Sequence, residues 1–191
     1  MRNIRLSMVL MTFLFCQSMV IGQEEEIIKT DTIGKIIVVW NNNNLRGITI
    51  TIQNPDKSGD EYKPTPGINQ ESIYLYSSKN IDPRWRSLSY ELAKQISDSS
   101  AQRLLSLEND KSLAIRFNLN KYGNVCNSCI YILHGKDINA ITSTDAVNVL
   151  SYLQNIKFES LINYKLYWFT FTFQITKDVL YRSHEKIKNK P

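Results

Sequence analysis

This chain of 191 residues is long enough for one domain with a buried core, or for one domain with a small extension. Its 23 lysines and arginines outnumber its 18 aspartates and glutamates, which gives a formal net charge of +5 at pH 7. This excess is mild and forms no concentrated basic stripe, so the composition argues against a nucleic-acid-binding protein. With three cysteines and two histidines, the sequence offers few of the ligands that zinc sites use, and we expect no metal site.

Residues 1–22 have the features of a secretory signal peptide. Arg2 and Arg5 form a positive start, and the apolar run that follows carries no charge. We place cleavage between Gly22 and Gln23, after a small residue. The alternative is an uncleaved anchor, which would be the chain's contact with a membrane, but the apolar run is shorter than the roughly 20 residues of a spanning helix. We therefore expect a periplasmic or secreted protein of a Gram-negative-type bacterium.

The first region of the exported chain, residues 23–110, is predicted to hold strands and one or two helices. Residues 23–30 include three consecutive glutamates and are typical of a solvated leader. Residues 33–40 are rich in β-branched side chains, and residues 48–52 alternate isoleucine with threonine. Both patterns predict strands, which can pair as a hairpin across a break at residues 41–44.

A loop and two helices complete this region. Residues 54–67 predict a loop, either a surface connector or the carrier of a binding site, and the apolar run 73–76 fits a strand or a helix. Asp82 as N-cap and Pro83 at the first helical position predict the start of an amphipathic helix. Its apolar stripe, which fits the core or a partner groove, comprises Trp85, Leu88, Leu92 and Ile96. Residues 98–100 interrupt this helix, and a short second one follows.

Residues 111–176 predict a strand, a turn, a strand, a helix and a last strand. The first strand presents one apolar face, formed by Leu113, Ile115, Phe117 and Leu119. The turn at residues 120–124 leads into a second strand at residues 125–133. Regular pleating places Val125, Cys129, Tyr131 and Leu133 on one face of this strand, and Ile130 and Ile132 on the other.

The helix of this unit is predicted at residues 143–156. Thr142 or Ser143 is its N-cap, and Asp145 lies near the positive end of the helix dipole. Its buried stripe comprises Ala146, Val149, Leu150 and Leu153. The last strand, residues 164–175, alternates an aromatic face with a mixed face, and such a strand is either well covered or an adhesive edge. The mixed face comprises Tyr164, Leu166, Trp168, Thr170, Thr172 and Gln174.

Two cysteines, Cys126 and Cys129, remain after the signal peptide. On a regular strand, residues three apart point to opposite faces with their Cα atoms about 10 Å apart, whereas a disulfide needs less than about 7 Å. A bridge therefore requires a bulge or turn at residues 127–128. We expect structural thiols or a local bridge, and the alternative is a secreted enzyme or thiol-redox protein that uses this pair. His134 would lie opposite Cys129, which does not favour a Cys–His pair.

Three motifs resemble the C-terminal domain of TonB-type energy transducers. They are the hairpin from Ala114 to Val125, the helix end from Leu153 to Glu159, and the closing strand from Phe169 to Ile175. The resemblance implies an α+β fold, in which an antiparallel sheet with a β-β-α-β C-terminal unit is joined by N-terminal strands and one or two helices. The sequence has no long proline-rich spacer, so the resemblance implies a small stand-alone relative and not a full energy transducer.

In that family the domain binds an extended segment of an outer-membrane transporter beside its last strand, through backbone hydrogen bonds. If this binding mode applies to the present chain, the pairing strand is residues 164–175. The resemblance then implies that the binding residues are Tyr164, Leu166, Trp168, Thr170 and Thr172. We expect a non-catalytic binding module without cofactors, whose partner is a protein or peptide of the cell envelope. A structural envelope component is a further alternative. The sequence holds no serine elbow, no H-E-x-x-H and no phosphate loop. Residues 177–191 form a basic tail that frays or forms a short helix.

Overall fold

The computed structural model describes residues 26–43, 47–59, 87–107, 111–132, 138–158 and 168–184. Six antiparallel strands form one sheet in the order β1-β2-β3-β5-β4-β6. The strands are β1 (Glu26–Ile33), β2 (Ile36–Asn43), β3 (Gly47–Gln53), β4 (Lys111–Asn120), β5 (Val125–Ile132) and β6 (Trp168–Thr176). The expected α+β fold with an antiparallel sheet is confirmed, and β3 joins the first three strands to the last three by pairing with β5.

Four helices accompany the sheet in the described part of the chain. They are α1 (Leu88–Ala93), α2 (Asp98–Ser106), α3 (Ser143–Asn155) and α4 (Lys177–Ser183), and a 3-10 turn spans Pro55–Lys57. Helix α3 contacts β1, β2, β3 and β5, whereas α1 contacts β6, α3 and α4. The sheet and the helices share one hydrophobic core, which includes Trp40, Ile50, Phe117, Leu92 and Leu150.

The N-terminal hairpin differs from the prediction. Residues from Glu26 onward are strand, and not a solvated leader, because the chain reverses at a two-residue turn between Ile33 and Ile36. Gly34 occupies this turn with φ of +62°, a conformation that glycine adopts without strain. β2 also continues to Asn43 instead of breaking at Asn41, because both of its edges are paired, with β1 and with β3. The predicted strand at residues 48–52 and its pairing with β2 are confirmed.

Replacing Gly34 with alanine tests this turn. No atom lies within 4 Å of where the new Cβ would sit, so the cost comes from the positive φ alone. We expect the free energy of unfolding to fall by about 1 kcal/mol, measured by urea denaturation. Gly34→Asn is the control, because asparagine tolerates this conformation and should cost less. Equal losses for both variants would contradict the assigned turn.

The helical region confirms part of the predicted stripe. Leu88, Leu92 and Ile96 are buried, whereas Trp85 and the proposed cap at Asp82 lie outside the described residues, as do residues 60–81. The second helix begins earlier than expected. Residues 98–100 form its first turn and do not interrupt the helix, because the Ser97 side chain caps it by accepting a hydrogen bond from the Ser100 N–H.

Most elements of the C-terminal unit match the sequence prediction. The predicted apolar face of β4 is buried, and so is the predicted stripe of α3. Thr142 is the N-cap of α3 and forms a capping box with Asp145. The tail begins with helix α4, whose N-cap is Thr176, and residues 185–191 lie outside the description.

The two faces of β5 are divided differently from the prediction. The β4–β5 register pairs Asn118 with Asn127 and Leu119 with Val125, so Cys126 is an extra residue in a β-bulge. The bulge shifts the alternation by one residue. Val125 therefore lies in the core with Ile130 and Ile132, whereas Cys129 and Tyr131 lie on the opposite face of β5. Leu133 lies outside the described residues.

Candidate functional site

β6 occupies one end of the described six-strand order and pairs with β4. Its pairing runs from Trp168, opposite Asn120, to Thr176, opposite Lys111, and β6 contributes no extra residue to this ladder. The one irregularity of this ladder is Ser112, which is an extra residue in β4. All nine residues of β6 are uncharged. This strand therefore has none of the charges or bulges that commonly block an edge.

One face of β6 anchors it to the core. Ile175 is buried, and the half-buried rings of Phe171 and Phe173 stack on Phe117 with centroid distances of 5.5 and 5.9 Å. The opposite face is polar where the structure describes it, because Thr172 and Gln174 are exposed. The predicted alternation of this strand is confirmed over residues 171–175.

The structure places some of the predicted site residues on one strand. Trp168 and Thr170 belong to β6, where their backbones pair with Asn120 and Asn118, and Thr172 is exposed two residues further on. The other predicted binding residues and the cleavage position lie outside the described residues; these are Tyr164, Leu166, Gly22 and Gln23.

Cys126 and Cys129 are half-buried in β5, and no disulfide joins them. The Cys126 thiol donates a hydrogen bond to the Asn118 carbonyl oxygen at 3.5 Å. Burial raises the pKa of the Cys126 thiol, although backbone hydrogen bonds to its sulfur oppose this effect. A raised pKa lowers the thiolate fraction and so makes Cys126 a poor nucleophile at neutral pH. His134 lies outside the described residues.

Slow alkylation is the expected behaviour of Cys126. In a Cys16→Ser/Cys129→Ser variant, Cys126 is the one cysteine that remains of the chain's three. We expect iodoacetamide to modify it at least about tenfold more slowly in the folded protein than in urea at the same pH, because the folded state raises the thiol pKa and shields the sulfur. Mass spectrometry measures both rates. Faster reaction in the folded protein would instead favour the thiol-redox alternative.

The buried carboxylate of Asp145 joins three elements. It accepts hydrogen bonds from the Thr142 N–H at 2.9 Å, the Thr142 hydroxyl at 2.7 Å, the Ser97 N–H at 2.7 Å and the Ser100 hydroxyl at 2.6 Å. Burial would raise the pKa of Asp145, but these hydrogen bonds outweigh it and hold the pKa below its ordinary value. The sequence predicted a cap at Thr142 or Ser143 with Asp145 in the first turn, whereas the contacts of Asp145 with the α1–α2 loop and with α2 were not predicted. The arrangement is structural, since every donor is a protein group from the ends of these helices.

His184 anchors the end of α4 to the first two helices. Its Nδ1 lies 2.8 Å from a carboxylate oxygen of Asp98, and its Nε2 donates to the Ala93 carbonyl oxygen at 3.0 Å. His184 is 7% exposed, and it borders a depression of about 630 Å³. Both ring nitrogens are engaged, so His184 is not placed to act as a general base in this arrangement. From the sequence pattern, His184 was predicted only to lie in a basic tail.

The described residues contain neither a metal-binding cluster nor a membrane-spanning helix. No group of three or more histidine, cysteine, aspartate or glutamate side chains lies close enough there to hold a metal ion. None of the described helices is both long and apolar enough to cross a membrane.

Comparison with known proteins identifies a bacterial fold neighbour. No protein-family model matches the sequence, and no curated protein is significantly similar to it. Among solved structures, the chain is similar to a DUF5043 family protein from Bacteroides uniformis ATCC 8492, with a TM-score of 0.53 and 10% sequence identity. The match covers 81% of this chain and 90% of that one. At this identity the likeness establishes a shared fold and nothing about activity.

Proposed function

We propose that this chain is an exported, non-catalytic binding module that takes up an extended segment of a partner protein beside β6. The observation that carries the proposal is the position and character of β6, a nine-residue uncharged strand at the end of the described sheet order. An extended peptide adds to such an edge through backbone hydrogen bonds, and the side chains that it meets set the specificity. The partner is a protein or peptide of the cell envelope.

The order of the C-terminal elements supports the family resemblance. β4, β5, α3 and β6 follow one another along the chain, and β6 lies beside β4 in the sheet. We infer that this unit is a small relative of the TonB C-terminal domain and not a full energy transducer. In that family the transporter segment pairs beside the last strand, and the corresponding strand in this chain is β6.

The location is a proposal that rests on the sequence. Residues 1–22, which lie outside the described residues, are proposed to be a secretory signal cleaved before Gln23. Cleavage would release the chain into the periplasm or outside the cell. A structural role in the envelope would use the same surface and differ in the partner, which the experiment below identifies.

β1, at the opposite end of the sheet order, is less suited to strand addition. It contains a register shift between Ile27 and Lys29, and it carries the charges of Glu26, Lys29 and Asp31. Bulges and charges are the means by which proteins keep edge strands from pairing with other chains. β6 has neither feature, so the proposal assigns the partner to β6.

Affinity capture with matched variants tests the proposal. The mature protein, residues 23–191, is immobilised beside a Thr172→Lys/Gln174→Lys variant of β6 and a Thr30→Lys/Thr32→Lys variant of β1. All four positions are exposed, so both variants should fold, which circular dichroism and thermal melting check. The added charges should block pairing with the strand that carries them.

The proposal expects a partner from envelope extract that binds the wild type and the β1 variant but not the β6 variant. A partner that binds the wild type and the β6 variant but not the β1 variant would show that strand addition occurs at β1. A partner retained by both variants, or no partner above background, would contradict binding at β6.

A further inference from the structure

β3 and β5 separate at one end of their pairing and leave a cleft between them. The ladder that joins the two strands ends at Thr51 and Cys129. Beyond this pair, residues 52–53 of β3 continue beside β2, whereas residues 127–128 of β5 continue beside β4. The bulge at Cys126 lies at the same end of β5. The cleft is therefore built into the register of the sheet.

The cleft has the size of a small-molecule site. It consists of two adjoining lobes of about 380 and 440 Å³, and Ile52, Gln53, Cys126 and Gln154 line both. Ligand pockets in proteins typically enclose roughly 300–1,000 Å³. Either lobe could hold a molecule with the size of a sugar or a small organic acid.

The described charged residues that line the cleft are all basic, and the exposed Asp56 in the same turn as Lys57 is not among them. Lys35 and Lys57 line one lobe, and Arg116 lines the other. No aspartate or glutamate is among the described residues that line either lobe. Cations gathered without acids raise the local concentration of anions and favour an anionic ligand.

Gln154 of α3 bridges the two walls with weak hydrogen bonds. Its carbonyl oxygen accepts from the Asn54 side chain at 3.5 Å, and its amide nitrogen donates to the Ser128 hydroxyl at 3.4 Å. Good N–H···O bonds measure about 2.7–3.2 Å, so both contacts are long. A ligand oxygen could replace the Ser128 contact at little cost and gain a shorter bond from the same amide.

We propose that this cleft binds a small, oxygen-rich organic anion, such as a polycarboxylate or a phosphate ester. Lys35 and Arg116 supply the positive charge, and the amides of Gln53 and Gln154 bind the ligand's oxygens. This site lies where β3 and β5 separate, and it is bordered by the β1–β2 turn, by β4 and by the end of α3. Strand addition would use the outer edge of β6 instead, so the two proposals do not depend on each other.

Cys126 provides a reporter inside the cleft. In the Cys16→Ser/Cys129→Ser variant, the rate of alkylation by iodoacetamide, a neutral reagent, is measured with citrate, glucose 6-phosphate or glucose at constant ionic strength. A probe at ten times its dissociation constant should slow the reaction about tenfold, since it leaves roughly a tenth of the sites free. We expect protection by one or both anions and none by glucose, which lacks the phosphate.

Charge variants complete the test. A Lys35→Ala/Arg116→Ala variant should lose the protection, whereas Lys94→Ala, which removes an exposed lysine outside the cleft, should keep it. Citrate protection alone identifies a polycarboxylate site, and glucose 6-phosphate protection alone identifies a phosphate-ester site. The proposal is overturned by equal protection from glucose, by no protection from either anion at about 10 mM, or by protection that survives the double variant.

Discussion

Replacing Asp145 with alanine is expected to lower the free energy of unfolding by about 3–5 kcal/mol. The side chain is 1% exposed, and its carboxylate accepts four hydrogen bonds from Ser97, Ser100 and Thr142. Truncation leaves these donors without an acceptor and removes the capping box of α3. Urea denaturation at pH 7 measures the loss. Asp56→Ala, at an exposed site, is the control and should change stability by less than about 0.5 kcal/mol.

The stabilisation by Asp145 should also depend on pH. Hydrogen bonds hold its folded-state pKa below the ordinary 3.8, although burial alone would raise it. A lowered carboxyl pKa adds stability that is complete well above the unfolded pKa and is lost as the pH falls through the folded pKa. The stability difference between wild type and Asp145→Asn should therefore be largest at neutral pH and shrink below about pH 4. A difference that stays constant down to about pH 2 would contradict the assigned hydrogen bonds.

Replacing Phe117 with alanine is expected to cost about 3–5 kcal/mol, because it opens a cavity at the centre of an aromatic cluster. Its ring is 1% exposed and stacks on Phe158, Phe171 and Phe173 with centroid distances of 5.5–5.9 Å. Two of these partners belong to β6, so the change should also loosen that strand against β4. Chemical denaturation measures the total loss, and amide hydrogen exchange measures the loosening of β6.

Phe117→Leu is the matched control for the aromatic cluster. Leucine fills part of the space, so the loss should be clearly smaller than that of the alanine variant. If both variants lost less than about 1 kcal/mol, the cluster would not be the anchor of β6.

The sequence predicted those features whose pattern lies within one short segment of the chain. The alternation of Leu113, Ile115, Phe117 and Leu119 predicted a buried strand face because side chains on a strand alternate with period two. A cap at Thr142 or Ser143, with Asp145 near the positive end of the helix dipole, predicted the start of α3 because these residues lie within one turn of each other. The antiparallel sheet and the α+β class were predicted from the family resemblance that these elements carry.

Features that depend on register could not be predicted from local patterns. β1 was missed because the apolar stretch was read through Gly34, which is the turn between two strands. The predicted face of Val125 in β5 was wrong because Cys126 is an extra residue in a bulge, and a bulge can be recognised only from the pairing of β5 with β4.

The polar contacts that join distant elements could not be predicted from the sequence either. Asp145 accepts a hydrogen bond from Ser97, which is 48 residues away in the sequence, and His184 contacts Asp98, which is 86 residues away. The cleft between β3 and β5 depends on where their ladder ends, and no spacing along the chain encodes that point. The character of β6 was predicted because its uncharged alternation lies within one segment.

Hydrogen–deuterium exchange of β6, with and without the captured partner, tests the central claim most directly. Strand addition would bond the outward-facing amides of β6, so the account predicts slower exchange in residues 168–176 and unchanged exchange in residues 26–33 of β1. Unchanged exchange in β6 at saturating partner would contradict strand addition at this edge.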